Sequence, residues 1–159
     1  ESFAFNAPME TKLVIKNHPL DMWLVNYPKV ISGLSDRFGI AGRVEYMETG
    51  NLDALLRHAR GTVTVNSTVG AHSISLNCPT IALSDPIYNL PGLTYQGHLD
   101  GFWQNDVKPD AELFGHFRNT VIHTTQVNGG FYSRQGIALA VENCLRRLEQ
   151  ERSPLEELL

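Results

Sequence analysis

A chain of 159 residues, 42% hydrophobic and 19% charged, has the length and apolar content of one globular domain, and the wrong balance for a disordered, collagen-like or coiled-coil chain. Its 13 basic and 17 acidic side chains leave a net charge of −4. That argues against broad nucleic-acid binding and leaves room for a local basic pocket. No apolar run approaches the roughly 20 residues of a membrane span, and Glu1-Ser2-Phe3-Ala4 has neither the basic start nor the apolar core of a signal peptide. The opening Glu, with Phe3 and Phe5 starting as if in mid-element, leads us to expect a piece of a longer protein. Cys78 and Cys144 form no CxxC or His/Cys cluster, so a reducing cytoplasm is the expected compartment. The six scattered histidines give no zinc spacing.

In chain order, Leu13-Val14-Ile15 reads as a buried strand that Lys16-Asn17-His18-Pro19 ends, because proline cannot continue a ladder. The apolar positions from Asp21 to Phe38 predict a helix, with Pro28 and Gly33 awkward in its middle. Val44–Met47 is a second strand. Asn51 is a helix N-cap for Leu52–Arg60. The β-branched run Thr62–Val65 is a third strand, followed through Asn66-Ser67-Thr68-Val69-Gly70 by a small-residue helix to about Leu76. Thr80–Leu83 is a fourth strand. A polar and aromatic stretch runs from Ser84 to Pro109. Asp110–Asn119 reads as a helix, Thr120–Thr124 as strand or loop, and Gly129-Gly130 as a turn requiring positive φ. The last helix falls between Tyr132 and Glu151. Strands alternating with helices predict an α/β fold, a Rossmann-like parallel sheet flanked by helices.

In such a sheet, ligands bind beyond the carboxyl ends of the strands. The four predicted ends deliver Lys16, Asn17 and His18, then Glu48, then Asn66, Ser67 and Thr68 with Gly70 opening a helix, then Ser84 and Asp85. Each group suits part of a nucleotide. Hydroxyls and backbone N–H groups at a helix start hold phosphate. His18 and Lys16 donate to the same anion. Glu48 accepts from the two ribose hydroxyls. Each residue also has a plainer reading: Ser67 as an N-cap, His18 as a loop-ordering residue, Glu48 as a solvated turn residue. Tyr88, Tyr95, Phe102 and Trp103 suit either a sugar-facing wall or a packed loop. Asp85, Asp100 and Asp106 read as turn formers.

Lys16-Asn17-His18-Pro19 resembles the K-x-H-P motif of bacterial glycosyltransferases that use CMP-activated acid sugars, and Val65–Gly70 resembles their Ser-Ser/Thr motif. Pro86–Gly97, Leu99-Asp100, Phe102-Trp103 and Thr125–Tyr132 together resemble the capsule polysaccharide biosynthesis/export family of KpsS/LipB type. The resemblance runs from about Leu13 to Leu148. It implies the C-terminal half of a GT-B glycosyltransferase that transfers Kdo from CMP-Kdo to a lipid-linked acceptor. By motif, His18 would contact the CMP phosphate, with Pro19 beside it, and Lys16 the cytosine side. Glu48 would hold the ribose, and Ser67, Thr68 and Gly70 the phosphate. Asn66, Tyr88, Gln126 and Asn128 would line the cleft. No metal or other cofactor is implied. The catalytic carboxylate and acceptor site would lie in an N-terminal domain that this chain does not match.

The expected division is a donor-binding domain over 1–151 and a flexible tail over 152–159. The expected setting is cytoplasmic, peripheral to the inner membrane, with a nucleotide sugar and a capsule assembly complex as partners and no nucleic acid. The competing reading is a non-catalytic module of a capsule assembly and export complex, docking through 84–109.

Overall fold

The computed structural model describes every residue except Pro19 and Trp23. The chain forms two compact units, Glu1–Asp110 and Ala111–Leu159. Every buried apolar side chain among the described residues lies in the first, including Phe3, Leu56, Ile74, Ile81, Leu93 and Phe102.

The first unit opens with a short helix α1 (Ser2–Asn6), which the sequence reading missed. Phe3 stacks edge-on against Trp103, and the Trp103 indole N–H donates to Ser2 Oγ at 2.8 Å. Strand β1 (Leu13–Lys16) follows. Helix α2 (Tyr27–Arg37) starts later than its periodicity predicts. Asn26 caps it, accepting from Lys29 N at 3.0 Å, and Pro28 falls in the first turn, where its missing N–H costs nothing. After a 3-10 turn at Ala41–Arg43 come β2 (Val44–Met47), α3 (Leu52–His58), β3 (Thr62–Thr64), α4 (Thr68–Ser75) and β4 (Thr80–Ala82). Asn51 caps α3 as expected, accepting from Ala54 N at 3.0 Å.

The fold is mixed α/β with parallel strands, but they do not join into the single sheet that the alternation predicts. β1 pairs with β2 (Leu13 opposite Val44), and β3 pairs with β4 (Thr62 opposite Thr80). Ladders of four and three residues have few rungs with which to recruit a further neighbour. A chain of hydroxyls and a thiol ties the second pair to α4. Thr80 Oγ1 donates to Ser73 Oγ (2.9 Å), which donates to Thr62 Oγ1 (2.8 Å). Thr62 Oγ1 lies 3.6 Å from Cys78 Sγ, whose thiol reaches Ala59 O at 3.6 Å.

The stretch after β4 is a packed loop rather than an open wall. Tyr88, Leu93, Thr94 and Phe102 are buried, Tyr95 N donates to Thr80 O at 2.8 Å, and a short helix α5 (Leu99–Phe102) carries Phe102 inward.

In the second unit, α6 (Ala111–Thr125) continues through the residues read as strand or loop. Thr124 and Thr125 turn their hydroxyls back onto Thr120 O and Val121 O, at 2.7 and 2.8 Å, so β-branched side chains are accommodated inside the helix. Arg147 of α7 (Arg134–Leu148) donates to His123 O, Thr124 O and Gln126 O, the carbonyls that the end of α6 leaves open. Gly129 has φ +151°, and a Cβ there would overlap Ala140 of α7. Within 152–159, Ser153 and Glu156 form a reciprocal capping pair: Ser153 N donates to Glu156 Oε2 at 2.8 Å and Glu156 N to Ser153 Oγ at 3.3 Å. Hydrogen bonds to it from the backbone N–H and then the side chain of Ser153 hold the Glu156 carboxyl below its usual range.

Candidate functional site

The parallel register of β1 and β2 sets Lys16 opposite Met47, so the residues just beyond both strands emerge at one edge. Asn17 N donates to Met47 O at 2.8 Å and extends the pairing one step. Lys16 is half-buried and its Nζ donates to Asn17 O at 3.1 Å. His18 is exposed and orders its own loop: its N–H donates to Asn17 Oδ1 (2.8 Å), and its Nδ1 accepts from Leu20 N (3.1 Å). The second bond fixes the neutral tautomer. With Nδ1 accepting, the ring proton sits on Nε2, which is left as a donor. The loop-ordering and the anion-binding readings of His18 are therefore compatible. Pro19, the next residue of the motif, lies outside the described residues. Glu48 follows β2 directly and is exposed.

One neighbour escaped the sequence reading. The Tyr46 hydroxyl is buried and has no hydrogen-bond partner among the described residues. Burial raises its pKa, and the nearby Glu48, Asp21 and Tyr27 raise it further. Tyr46 is paired with Ile15 in the strand register. The strand alternation marks which face such a residue takes, but not that its hydroxyl lacks a partner.

The second group gathers at the start of α4. Ser67 is the N-cap, its Oγ accepting from Val69 N at 3.2 Å, and its carbonyl accepts from Gly70 N at 2.9 Å. Tyr88, expected on the cleft wall, is buried instead and donates its hydroxyl to Ser67 O at 2.5 Å. Burial raises the Tyr88 pKa, opposed by its hydrogen bonds to Ser67 and Thr64. A Cβ on Gly70 would stand 2.5 Å from Tyr88 Cζ, so glycine is what lets the ring lie against the helix. Thr68 and Asn66 are exposed beside the cap. Behind it, His72 Nε2 meets Asp53 Oδ1 at 2.7 Å and joins α4 to α3.

The structure thus brings together Lys16, His18 and Glu48 at one strand edge, and Ser67, Thr68, Gly70 and Tyr88 at one helix start. Gln126 and Asn128 belong to the second unit, where they border a cavity of about 610 Å³. Their carbonyls are occupied, Gln126 O by Arg147 and Asn128 O by Asn143 Nδ2 at 2.9 Å.

Residues 1–132 match the family model described as "Capsule polysaccharide biosynthesis protein". The chain belongs to this family. It is 44% identical over 131 residues to the capsule polysaccharide export protein KpsS of Escherichia coli, covering 82% of this chain and 34% of the relative. It is 39% identical over 134 residues to the capsule polysaccharide modification protein LipB of Neisseria meningitidis serogroup A, covering 84% and 32%. The serogroup B LipB matches to the same extent. The chain therefore spans about a third of the length of the curated relatives it matches. No solved structure matches it. Among the described residues, no helix is long and apolar enough to cross a membrane.

Lys16 ends β1 of one parallel pair, and Val65–Gly70 follow β3 of the other.

Proposed function

We propose that this chain is the donor-binding, Rossmann-like half of a GT-B glycosyltransferase of capsule biosynthesis, transferring Kdo from CMP-Kdo to a lipid-linked acceptor. The observation that carries the reading is the β1–β2 register, which sets two basic side chains and a carboxylate at one carboxyl edge. His18 Nε2 and Lys16 Nζ would meet the phosphate and the cytosine side, Glu48 the ribose hydroxyls, and the Ser67–Thr68 helix start the phosphate.

Transfer breaks the bond between the sugar and the CMP phosphate, and the electron pair leaves with CMP. Cations and N–H donors at that phosphate stabilise charge that grows as the bond breaks, so they act mostly in the transition state. The proton of the attacking acceptor hydroxyl goes to a base outside this chain, in the part of the protein that holds the acceptor. The protein would work in the cytoplasm, at the inner membrane beside other capsule assembly components.

The burial of Tyr88, Leu93 and Phe102 takes three of the large side chains of 84–109 away from the docking surface that an export-complex module would need, while Ile87, Leu90 and Val107 of the same stretch are exposed.

In the full-length protein, His18→Ala should lower CMP-Kdo-dependent transfer about 10²–10³-fold, the usual scale for removing one charge-stabilising donor. Ser67→Asn, which keeps a capping side chain, should also lower transfer while leaving the melting temperature near that of the parent. Full activity in both variants overturns the assignment.

A further inference from the structure

A second cavity lies at the opposite end of β3 and β4, where these strands begin. It encloses about 350 Å³, within the roughly 300–1,000 Å³ of small-molecule sites. Leu56, Leu76 and Pro79 give it an apolar wall. Its rim carries Arg57, Arg60 and Lys108 against one carboxylate, Asp106.

Arg60 is already engaged, its Nη2 lying 3.0 Å from Asp106 Oδ1. No ion pair to a described residue engages Arg57 or Lys108. Three cations and one carboxylate leave +2. The carboxyl ends of α3 and α4 lie here and would offset that by at most about 0.5 each. A net charge of roughly +1 remains, on a chain whose total is −4. Basic side chains near helix C-termini are ordinary. Two of them unpaired at the mouth of an apolar-walled cavity, beside a third already neutralised, exceed what capping requires.

We propose that this cavity binds a small hydroxylated anion, a sugar acid or a sugar phosphate. Its carboxylate or phosphate sits between Arg57 and Lys108, and the less polar face of its ring lies on Leu56, Leu76 and Pro79. Asn77 and Asp106, also on the rim, supply hydrogen bonds to hydroxyls. The site is independent of the donor reading, since Ser67 and Thr68 follow the far end of β3.

The test is calorimetric titration of the full-length protein at low salt with glucuronate and with glucose 6-phosphate, using glucose and inorganic phosphate as controls. At least one of the two sugar anions should bind at millimolar affinity or better, and which one binds separates a carboxylate from a phosphate ligand. Glucose should not bind, inorganic phosphate should bind at least tenfold more weakly than the sugar anion, and CMP should not compete. Arg57→Ser with Lys108→Ser should weaken binding tenfold or more, and so should Lys108→Glu alone, an exposed change that keeps the loop. Ser67→Ala should leave it unchanged. The proposal is overturned if neither anion binds, if binding survives the Lys108→Glu change, if Ser67→Ala abolishes it, or if inorganic phosphate binds as tightly as the sugar anion.

Discussion

Tyr88 and Gly70 show how much of the expected phosphate-binding turn depends on one buried hydroxyl. The ring fills the space beside the first turn of α4, and its hydroxyl donates to the carbonyl of the capping residue itself. Tyr88→Phe removes that bond and keeps the ring, so it should cost about 0.5–1.5 kcal/mol, read from urea unfolding. The same residue gives a pH dependence. Burial raises the folded-state pKa of the phenol above its unfolded value near 10. The folded state then holds the proton that the unfolded state loses, so this stability is complete below about pH 10 and is lost as pH rises further. Tyr46 shifts in the same direction and should add to the alkaline loss. Tyr88→Phe should therefore flatten, without abolishing, the fall in stability between about pH 9 and 11. An unchanged slope would show that Tyr88 ionises alike in both states. Gly70→Ala is a harsher change, since its methyl group would overlap the hydroxyl end of the Tyr88 ring, and overpacking of this kind costs about 1–3 kcal/mol.

At the scale of elements, the link between α4 and the β3–β4 pair is polar where a hydrophobic seam would be the usual arrangement. Ser73 and Thr80 are fully buried, and Ser73 Oγ accepts from the Thr80 hydroxyl, which also reaches Cys78 O at 3.0 Å. Removing the middle member leaves Thr62 and Thr80 with broken hydrogen bonds, so Ser73→Ala should cost about 1–3 kcal/mol. Adding Thr80→Val to Ser73→Ala should cost less than the sum of the two single changes, because both remove the same Ser73–Thr80 hydrogen bond. Strict additivity in a double-mutant cycle would dissolve the network. The sequence makes the strands legible here, since a run of β-branched residues says strand. It does not show that Thr62 and Thr80 face a serine across a helix, because that depends on the register and on which helix covers the pair. Two helix starts were legible for the same local reason: Asn51 and Ser67 cap where the side chain reaches its own backbone. α1 and the second half of α6 were not. Five residues around Phe3 carry no period, and they are held by Trp103 about a hundred positions away. Thr120–Thr124 reads as strand or loop until the hydroxyls of Thr124 and Thr125 are seen bonding back to the preceding turn. The placement of Lys16, His18 and Glu48 at strand ends, and of Ser67 at a helix start, was legible because these features are local. Tyr46 and the inward turn of Tyr88 were not, because burial is a tertiary property.

At the scale of the whole chain, the two units differ in what holds them. The first contains every buried apolar side chain described, gathered around β3, β4, α4 and the loop after β4. In the second, Ile137, Leu139, Val141, Leu145 and Leu148 of α7 are all 40% or more exposed, and the buried residue of the unit is Thr124. What organises the second unit is largely polar: the three bonds from Arg147 to carbonyls at and after the end of α6, the bond from Asn143 to Asn128 O, and the Glu142–Arg146 ion pair one turn apart. Exposed bonds of this type contribute little each, because water replaces them readily. Local opening free energies follow buried apolar contact. In hydrogen exchange on the 159-residue chain, the amides of α4, β3 and β4 should exchange only through global unfolding. Those of α7 should exchange at least a hundredfold faster, through local opening. Arg147→Ala should speed exchange at the end of α6 and in α7 while leaving the β3–β4 amides unaffected. Equal protection in both units would mean that α7 is held by more than the polar bonds described here, and the difference between the units would have to be given up.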